Sequence, residues 1–215
     1  TAHQVSLRIV REQIQKLQAP VLDSPSSSYA AVKQSFGFAL TGAQQRVADE
    51  VAVDLMKSQP SLRLIQGDVG SGKTVIAALA SVHSFENNLQ TALMAPTELL
   101  AEQHFINMSN WLAPLGIKTA WLSGRVTGKK RVEELARILT GDAAVIIGTH
   151  ALFQKDVEFR NLGLVIVDEQ HRFGVHQRLA LRAKGSAGST SPHQLVMTTT
   201  PIPRTLLCRY GRVRH

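Results

Sequence analysis

The string Gly67-Asp68-Val69-Gly70-Ser71-Gly72-Lys73-Thr74 constrains this chain more than any other stretch of it. It satisfies G-x-x-x-x-G-K-[ST] at every fixed position. An apolar run at 62–65 precedes it and a helix-forming stretch at 73–84 follows it, which is the strand–loop–helix context the motif requires. Glycines let the backbone turn successive N–H groups inward around a phosphate chain. The start of the helix adds the positive end of a dipole. The motif therefore predicts a nucleotide cradle made by Gly67, Asp68, Val69, Gly70, Ser71, Gly72, Lys73 and Thr74. Lys73 is expected to reach the β- and γ-phosphates and the Thr74 hydroxyl to ligate Mg²⁺, so ATP and Mg²⁺ are the expected cofactors.

The rest of the chain alternates strand and helix. Strands are predicted at 62–65, 92–95, 119–122, 144–147, 164–167 and 195–197, with helices at 73–84 and 98–111 between them. A further helix is expected to turn Val132, Leu135, Ala136 and Leu139 to the core and to end at Gly141. Continuous apolar strands separated by helices imply an α/β fold, a mostly parallel sheet with helices on both faces. At the start, Val10, Ile14 and Leu17 predict a short helix that Pro20 ends, and Pro25 with Ser26-Ser27-Ser28 predicts a linker. The expected organisation is an N-terminal helix and linker over 1–35, a nucleotide-binding domain over 36–206 and a basic tail over 207–215.

A phosphate cradle that hydrolyses needs a carboxylate for the metal and a group to orient water. Leu164-Val165-Ile166-Val167-Asp168-Glu169 supplies two acids at the carboxyl end of a buried strand, where ligands sit in such sheets. Asp168 is expected to hold Mg²⁺ and Glu169 to act as general base on the attacking water.

Charge points to a polyanionic partner. Lys and Arg number 24 against 16 Asp and Glu, a formal net charge of +8. Such a surface suits nucleic acid. The single cysteine, Cys208, cannot form an internal disulfide, which sets a reducing cytoplasm as the expected compartment. No apolar run approaches the roughly 20 residues of a membrane span. The eight histidines show no metal-ligand spacing.

Asp168-Glu169-Gln170-His171-Arg172-Phe173-Gly174 resembles motif II of the superfamily 2, DExH-type helicases, and its continuation Val175-His176-Gln177-Arg178 resembles the RecG-type branch-migrating DNA helicases. Other stretches agree in order. Phe38 to Gln44 resembles the segment before the first motor strand, Met94 to His104 motif Ia, Gly148 to Phe153 motif Ib, and Thr198 to Leu206 motif III. The transcription–repair coupling factor shares much of this pattern. The resemblance implies a RecA-like P-loop domain, the first of two motors, that couples ATP hydrolysis to double-stranded DNA translocation and remodelling of forks and Holliday junctions in recombination and repair. Thr199 stands where motif III usually has alanine, which puts the coupling of hydrolysis to motion in question.

Several roles rest on that resemblance. Gln44 would read adenine, although Thr41-x-x-Gln44 is also a capping box. Pro96, Thr97, Gly148, Thr149 and His150 would hold DNA phosphates, with Thr97 as helix N-cap the plainer reading. Gln170, His171, Thr198 and Thr200 would couple the nucleotide to motion. Lys129, Lys130, Arg131 and Arg125 read as a solvated helix start, and Trp121 and Phe153 as core. The family continues into a second motor domain carrying an arginine finger, so this chain is expected to be a fragment, missing that partner and inactive alone as a helicase. Two other readings stay open: a non-catalytic nucleotide-gated DNA-binding module, and a different P-loop enzyme such as a small kinase.

Overall fold

The computed structural model describes residues 18–25, 27–68, 70–168 and 190–199. Among these residues six strands form one sheet: β1 (Leu62–Gln66), β2 (Gln90–Met94), β3 (Thr119–Leu122), β4 (Val145–Gly148), β5 (Leu162–Asp168) and β6 (His193–Thr198). Their spatial order is β1-β6-β5-β2-β4-β3, and every pairing is parallel. Each carboxyl end therefore opens at the same edge of the sheet, as parallel strands require.

Side-chain alternation along these strands sorts the core into two layers. Leu93, Ile147, Leu164 and Ile166 face one side, where they meet Val75, Leu79, Met108 and Leu112. Ala92, Met94, Ile146, Val165 and Val167 face the other, with Leu122, Ile138, Leu152 and Phe159. Every residue of β2, β4, β5 and β6 is buried. Both layers are needed because an all-parallel sheet has two apolar faces to cover.

Among the described residues five helices supply the cover: α1 (Ser27–Ser35), α2 (Gly42–Leu55), α3 (Lys73–Glu86), α4 (Glu98–Leu112) and α5 (Gly128–Thr140). The capping box is formed at α2. Thr41 Oγ1 accepts from the Gln44 N–H at 3.2 Å, and Gln44 Oε1 accepts from the Thr41 N–H at 2.9 Å. Gly141 ends α5 at φ 79°, a left-handed angle that its missing Cβ permits.

Two expectations change. Ser27 and Ser28 do not continue a linker but open α1, whose Tyr29 and Val32 are buried and lead to the buried Phe36. That i, i+3, i+7 row is a helical stripe, and Phe36 meets Trp111 edge-on at 5.0 Å. In α5 the buried residue is Ile138, while Val132 and Leu139 are 66% and 53% exposed. This helix covers the edge strand β3, so a narrow stripe of Leu135 and Ile138 suffices. Its rotation is held by Arg137, which donates to the Thr119 carbonyl at 2.9 Å, and by Arg131, which pairs with Asp156 at 2.8 Å.

The expected helix over 1–19 lies almost wholly outside the described residues. Residues 18–25 run as a strap along the core. Ala19 and Leu22 are buried, and their N–H groups donate to the carbonyls of Ser58 at 2.8 Å and Leu55 at 3.3 Å. Two buried histidines clamp the strap, His83 at the Asp23 carbonyl (2.5 Å) and His193 at the Pro20 carbonyl (2.9 Å).

Candidate functional site

The loop between β1 and α3 is folded back on its own lysine. Lys73 Nζ donates to the carbonyls of Gly67 at 2.7 Å and Asp68 at 2.9 Å. Gly70 and Gly72 stand at φ 81° and 83°, the conformation that turns a chain sharply and that side chains resist. A Cβ on Gly67 would sit 2.6 Å from Ser71 Oγ, so a larger residue there would have to turn the Ser71 side chain aside. No side chain caps the start of α3, where Gly72 is the N-cap residue. Its first N–H groups are the donors a phosphate would use. Thr74 follows in the first turn, half-buried, and Val69 lies outside the described residues.

Gln44 reaches this loop from α2. Its Nε2 donates to the Ser71 carbonyl at 3.0 Å while its Oε1 holds the capping box. The side chain is packed against Gly72, where a Cβ would come within 2.2 Å of Nε2. One amide thus ties a helix start to the phosphate loop.

Asp168 ends β5 and is buried at 6% exposure. Its Oδ2 accepts a hydrogen bond from His104 Nε2 at 2.7 Å. A buried carboxylate without such a partner would carry a large desolvation cost. Thr198 closes β6, the strand between β1 and β5, with its register partner Gln66 one residue before the loop. The Gly67 N–H donates to the Thr198 carbonyl at 3.2 Å, which ties the loop to this strand end. Glu169, Gln170, His171 and Thr200 lie outside the described residues.

The remaining candidates occupy the carboxyl ends of β2 and β4. Thr97 caps α4, its Oγ1 accepting from the Leu100 N–H at 3.3 Å, and remains exposed; Pro96 is half-buried. Gly148 is buried against β3, where a Cβ would lie 1.8 Å from the Leu122 carbonyl oxygen. The Thr149 side chain is buried too, and its hydroxyl has no hydrogen-bond partner among the described residues. His150, the next residue, is exposed and opens a 3₁₀ turn. Of the five residues expected on DNA, Thr97 and His150 therefore reach the surface, and Gly148 and Thr149 face inward.

Arg131 is half of an ion pair and also donates to Gln154, while Lys129 is 93% exposed near Glu133. Arg125, Lys129 and Lys130 are exposed, as expected of a solvated helix start, whereas Arg131 is half-buried in its contacts. Trp121 and Phe153 pack against the two core layers. A groove of about 710 Å³ runs along β1 between Asp49, Asp54, Lys57 and Arg63. Arg63, Glu50 and Asp54 in it are tied into ion pairs with one another, and it holds none of the motif residues.

The residues fit a nucleotide with Mg²⁺. A loop closed by glycines surrounds a lysine, an uncapped helix start faces it, and a buried carboxylate stands two strands away at the same sheet edge. His104 was not singled out from the sequence. Its signal was spacing alone, since it shares the buried stripe of α4 with Ala101, Met108 and Leu112.

This sheet, with a phosphate loop after its first strand and an acidic strand end two strands away, defines a RecA-like P-loop nucleotide-binding domain. The DEAD/DEAH box helicase family model matches residues 41–207. The "ATP-dependent DNA helicase RecG" of Haemophilus influenzae is 52% identical over 205 residues, covering 95% of this chain and 30% of that protein. Its Escherichia coli namesake is 51% identical over the same coverage. A solved structure of RecG bound to a three-way DNA junction superposes with a TM-score of 0.81 at 36% identity, over 97% of this chain and 27% of that one. The chain belongs to the DEAD/DEAH box helicase family, as a motor domain of the RecG type. It spans about 30% of the length of the curated relatives named here.

Proposed function

We propose that this chain is the first ATP-binding motor domain of a DNA helicase that couples ATP hydrolysis to double-stranded DNA translocation and to remodelling of branched DNA in recombination and repair. The observation that carries this reading is the shared edge. The Lys73 loop, Asp168, Thr97 and His150 all follow carboxyl ends of one parallel sheet. Lys73 and the start of α3 bind the phosphates, and Gln44 contacts the adenine. Mg²⁺, when bound, neutralises phosphate charge, and Thr74 and Asp168 would hold it. Glu169 accepts the proton of the attacking water, while Gln170, His171, Thr198 and Thr200 relay the state of the nucleotide. Thr97 and His150 meet DNA phosphates from the side, where contacts position a strand without reading sequence.

The working unit in this reading includes a second motor domain whose arginine completes the ATP site. The chain alone binds nucleotide weakly and turns it over slowly. Residues 18–25 and the helix α1 pack on the motor, and 207–215 form a basic tail. The cytoplasm is the compartment that suits the lone cysteine; among the described residues no helix is long and apolar enough to cross a membrane.

The test is phosphate release by a protein carrying this domain and the second motor, with and without a three-way DNA junction. Stimulation of tenfold or more is expected if DNA held across both motors brings the second domain's arginine to the ATP site, since an arginine finger in place is worth roughly 10³–10⁵ in rate. Equal rates with and without junction DNA refute the helicase reading. Appreciable turnover by the isolated chain refutes the dependence on a second domain.

A further inference from the structure

We infer that His104 is a positioning residue for the metal-binding carboxylate: from α4 it fixes Asp168 in the orientation that Mg²⁺–nucleotide requires. The inference rests on the proposed reading of Asp168 as the Mg²⁺ ligand.

The contact is short and sheltered. His104 Nε2 lies 2.7 Å from Asp168 Oδ2, and the two residues are 5% and 6% exposed. A carboxylate oxygen only accepts, so Nε2 carries the proton and donates. That assignment occupies Oδ2 and leaves Oδ1 as the oxygen for a metal or its water. A carboxylate that ligates a metal is commonly held by a second hydrogen-bonding residue, which sets its rotamer before the ion arrives.

Packing alone does not explain a histidine at this position. Ala101, His104, Met108 and Leu112 form the buried stripe of α4, and the other three are apolar. A leucine would fill the same space and leave Asp168 buried without its donor, a costly arrangement. What the imidazole adds is the N–H at the far end of its ring, aimed at the end of β5.

The position on the helix adds a second property. Thr97 is the N-cap of α4, and His104 follows seven residues later. Seven residues make nearly two turns, so the two lie on the same side of the helix about 10 Å apart. The turn proposed to meet DNA and the donor to the metal carboxylate are thus two ends of one rigid segment.

The test titrates Mg²⁺ against the 215-residue chain bound to a fluorescent ADP analogue. His104→Asn stops short of Asp168, whereas His104→Gln carries an amide N–H to about the place of Nε2. For His104→Asn the Mg²⁺ half-saturation should rise roughly 10–100-fold, the usual loss for a residue that orients a metal ligand. Affinity for the analogue without Mg²⁺ should hold within about twofold, and His104→Gln should stay near wild type. An unchanged half-saturation in His104→Asn, with a folded circular-dichroism spectrum, overturns the proposal. So does a His104→Gln variant that loses as much as His104→Asn. Should His104→Asn fail to fold, His104→Gln decides by itself: a shift above about tenfold overturns the role and near-wild-type behaviour supports it. Asp168→Asn serves as the reference. If it leaves the Mg²⁺ effect intact, the metal reading of Asp168 fails and this inference with it. If it abolishes the effect while His104→Asn does not, only the positioning role fails.

Discussion

Gly148→Ala is the substitution that most directly separates packing from DNA contact in the motif Ib turn. An added Cβ would stand 1.8 Å from the Leu122 carbonyl oxygen and 3.3 Å from Leu152 Cγ. The first clash is with backbone, so no side-chain rotation relieves it. Ordinary contact begins at 3.4 Å, and the chains must part by ~1.6 Å. The strand that can move is β3, because it is the sheet edge; Leu122 is the register partner of Gly148. Moving it breaks the Thr149 N–H to Leu122 carbonyl bond of 3.3 Å and strains its neighbours in the ladder. Two weakened hydrogen bonds cost about 2 kcal/mol, and displacing the fully buried Leu122 adds about 1 kcal/mol of overpacking. The sum, about 3 kcal/mol, is a large share of the roughly 5–15 kcal/mol that holds a domain folded. With a urea m-value of about 2 kcal/mol/M, the midpoint should fall by about 1.5 M at unchanged m. Gly124→Ala is the control, since its Cβ would meet only Glu98 Oε1 at 3.7 Å. Its midpoint should stay within the error of the measurement. A Gly148→Ala midpoint that matches this control would refute the packing argument and return Gly148 to a direct role on DNA.

Three other outcomes are expected. Lys73→Ala should lower affinity for the ADP analogue more than tenfold, because a charge-assisted bond to phosphate is worth roughly 1.5–3 kcal/mol, while thermal unfolding moves by only a few degrees; retained affinity would remove Lys73 from the phosphate site. Gln44→Ala should cost about 1 kcal/mol of stability through the lost cap and should bring the affinities for ADP and GDP analogues together; an unchanged ratio would leave Gln44 with the loop and the cap alone. Burial holds His83 and His193 below the ordinary histidine value, against the opposing pull of the Asp23 and Pro20 carbonyls. Above about pH 6.5 both states keep them neutral; below it the unfolded chain takes up protons that the folded one declines, so stability drops as pH falls. The melting temperature should therefore decline between pH 7.5 and 5.5, less steeply in His83→Gln/His193→Gln, and equal slopes in variant and parent would refute the assignment.

What could be read from the sequence was local. The phosphate loop and the capping box of Thr41 and Gln44 are complete within short windows, and the strands announce themselves by apolar runs. What could not be read depends on distant partners. Asp168 was legible as an acid at a strand end, but its donor lies 64 residues away, and only the packing of α4 on the sheet brings them together. Val132 and Leu139 follow a helical period and yet face solvent, because an edge strand needs less cover than a central one. Ser27 and Ser28 looked like linker residues, since serine marks helix starts and loops alike; the buried stripe after them decides for helix. Thr149 reads as a phosphate contact by motif and is turned inward by the close approach of β4 to β3.

The strand order explains how one sheet can serve two ligands. Across the edge it runs β1-β6-β5 and then β2-β4-β3. Lys73, Thr198 and Asp168 belong to the first group, and Thr97 and His150 to the second. The boundary is the β5–β2 pair, where Val167 lies beside Met94. The chain crosses between the groups twice, from β1 to β2 and from β4 to β5, so β2 follows the phosphate loop along the chain but sits on the far side of β5 in space. Within the sheet the two halves meet at β5 and β2, and α4, which leaves β2 and packs across β4 and β3, places His104 on Asp168 at the end of β5. If Thr97 meets a DNA phosphate and Asp168 the metal of the nucleotide, as proposed, a displacement of the Thr97 turn has a short route to the nucleotide. That route is a single helix and one hydrogen bond, and it needs no rearrangement of the sheet.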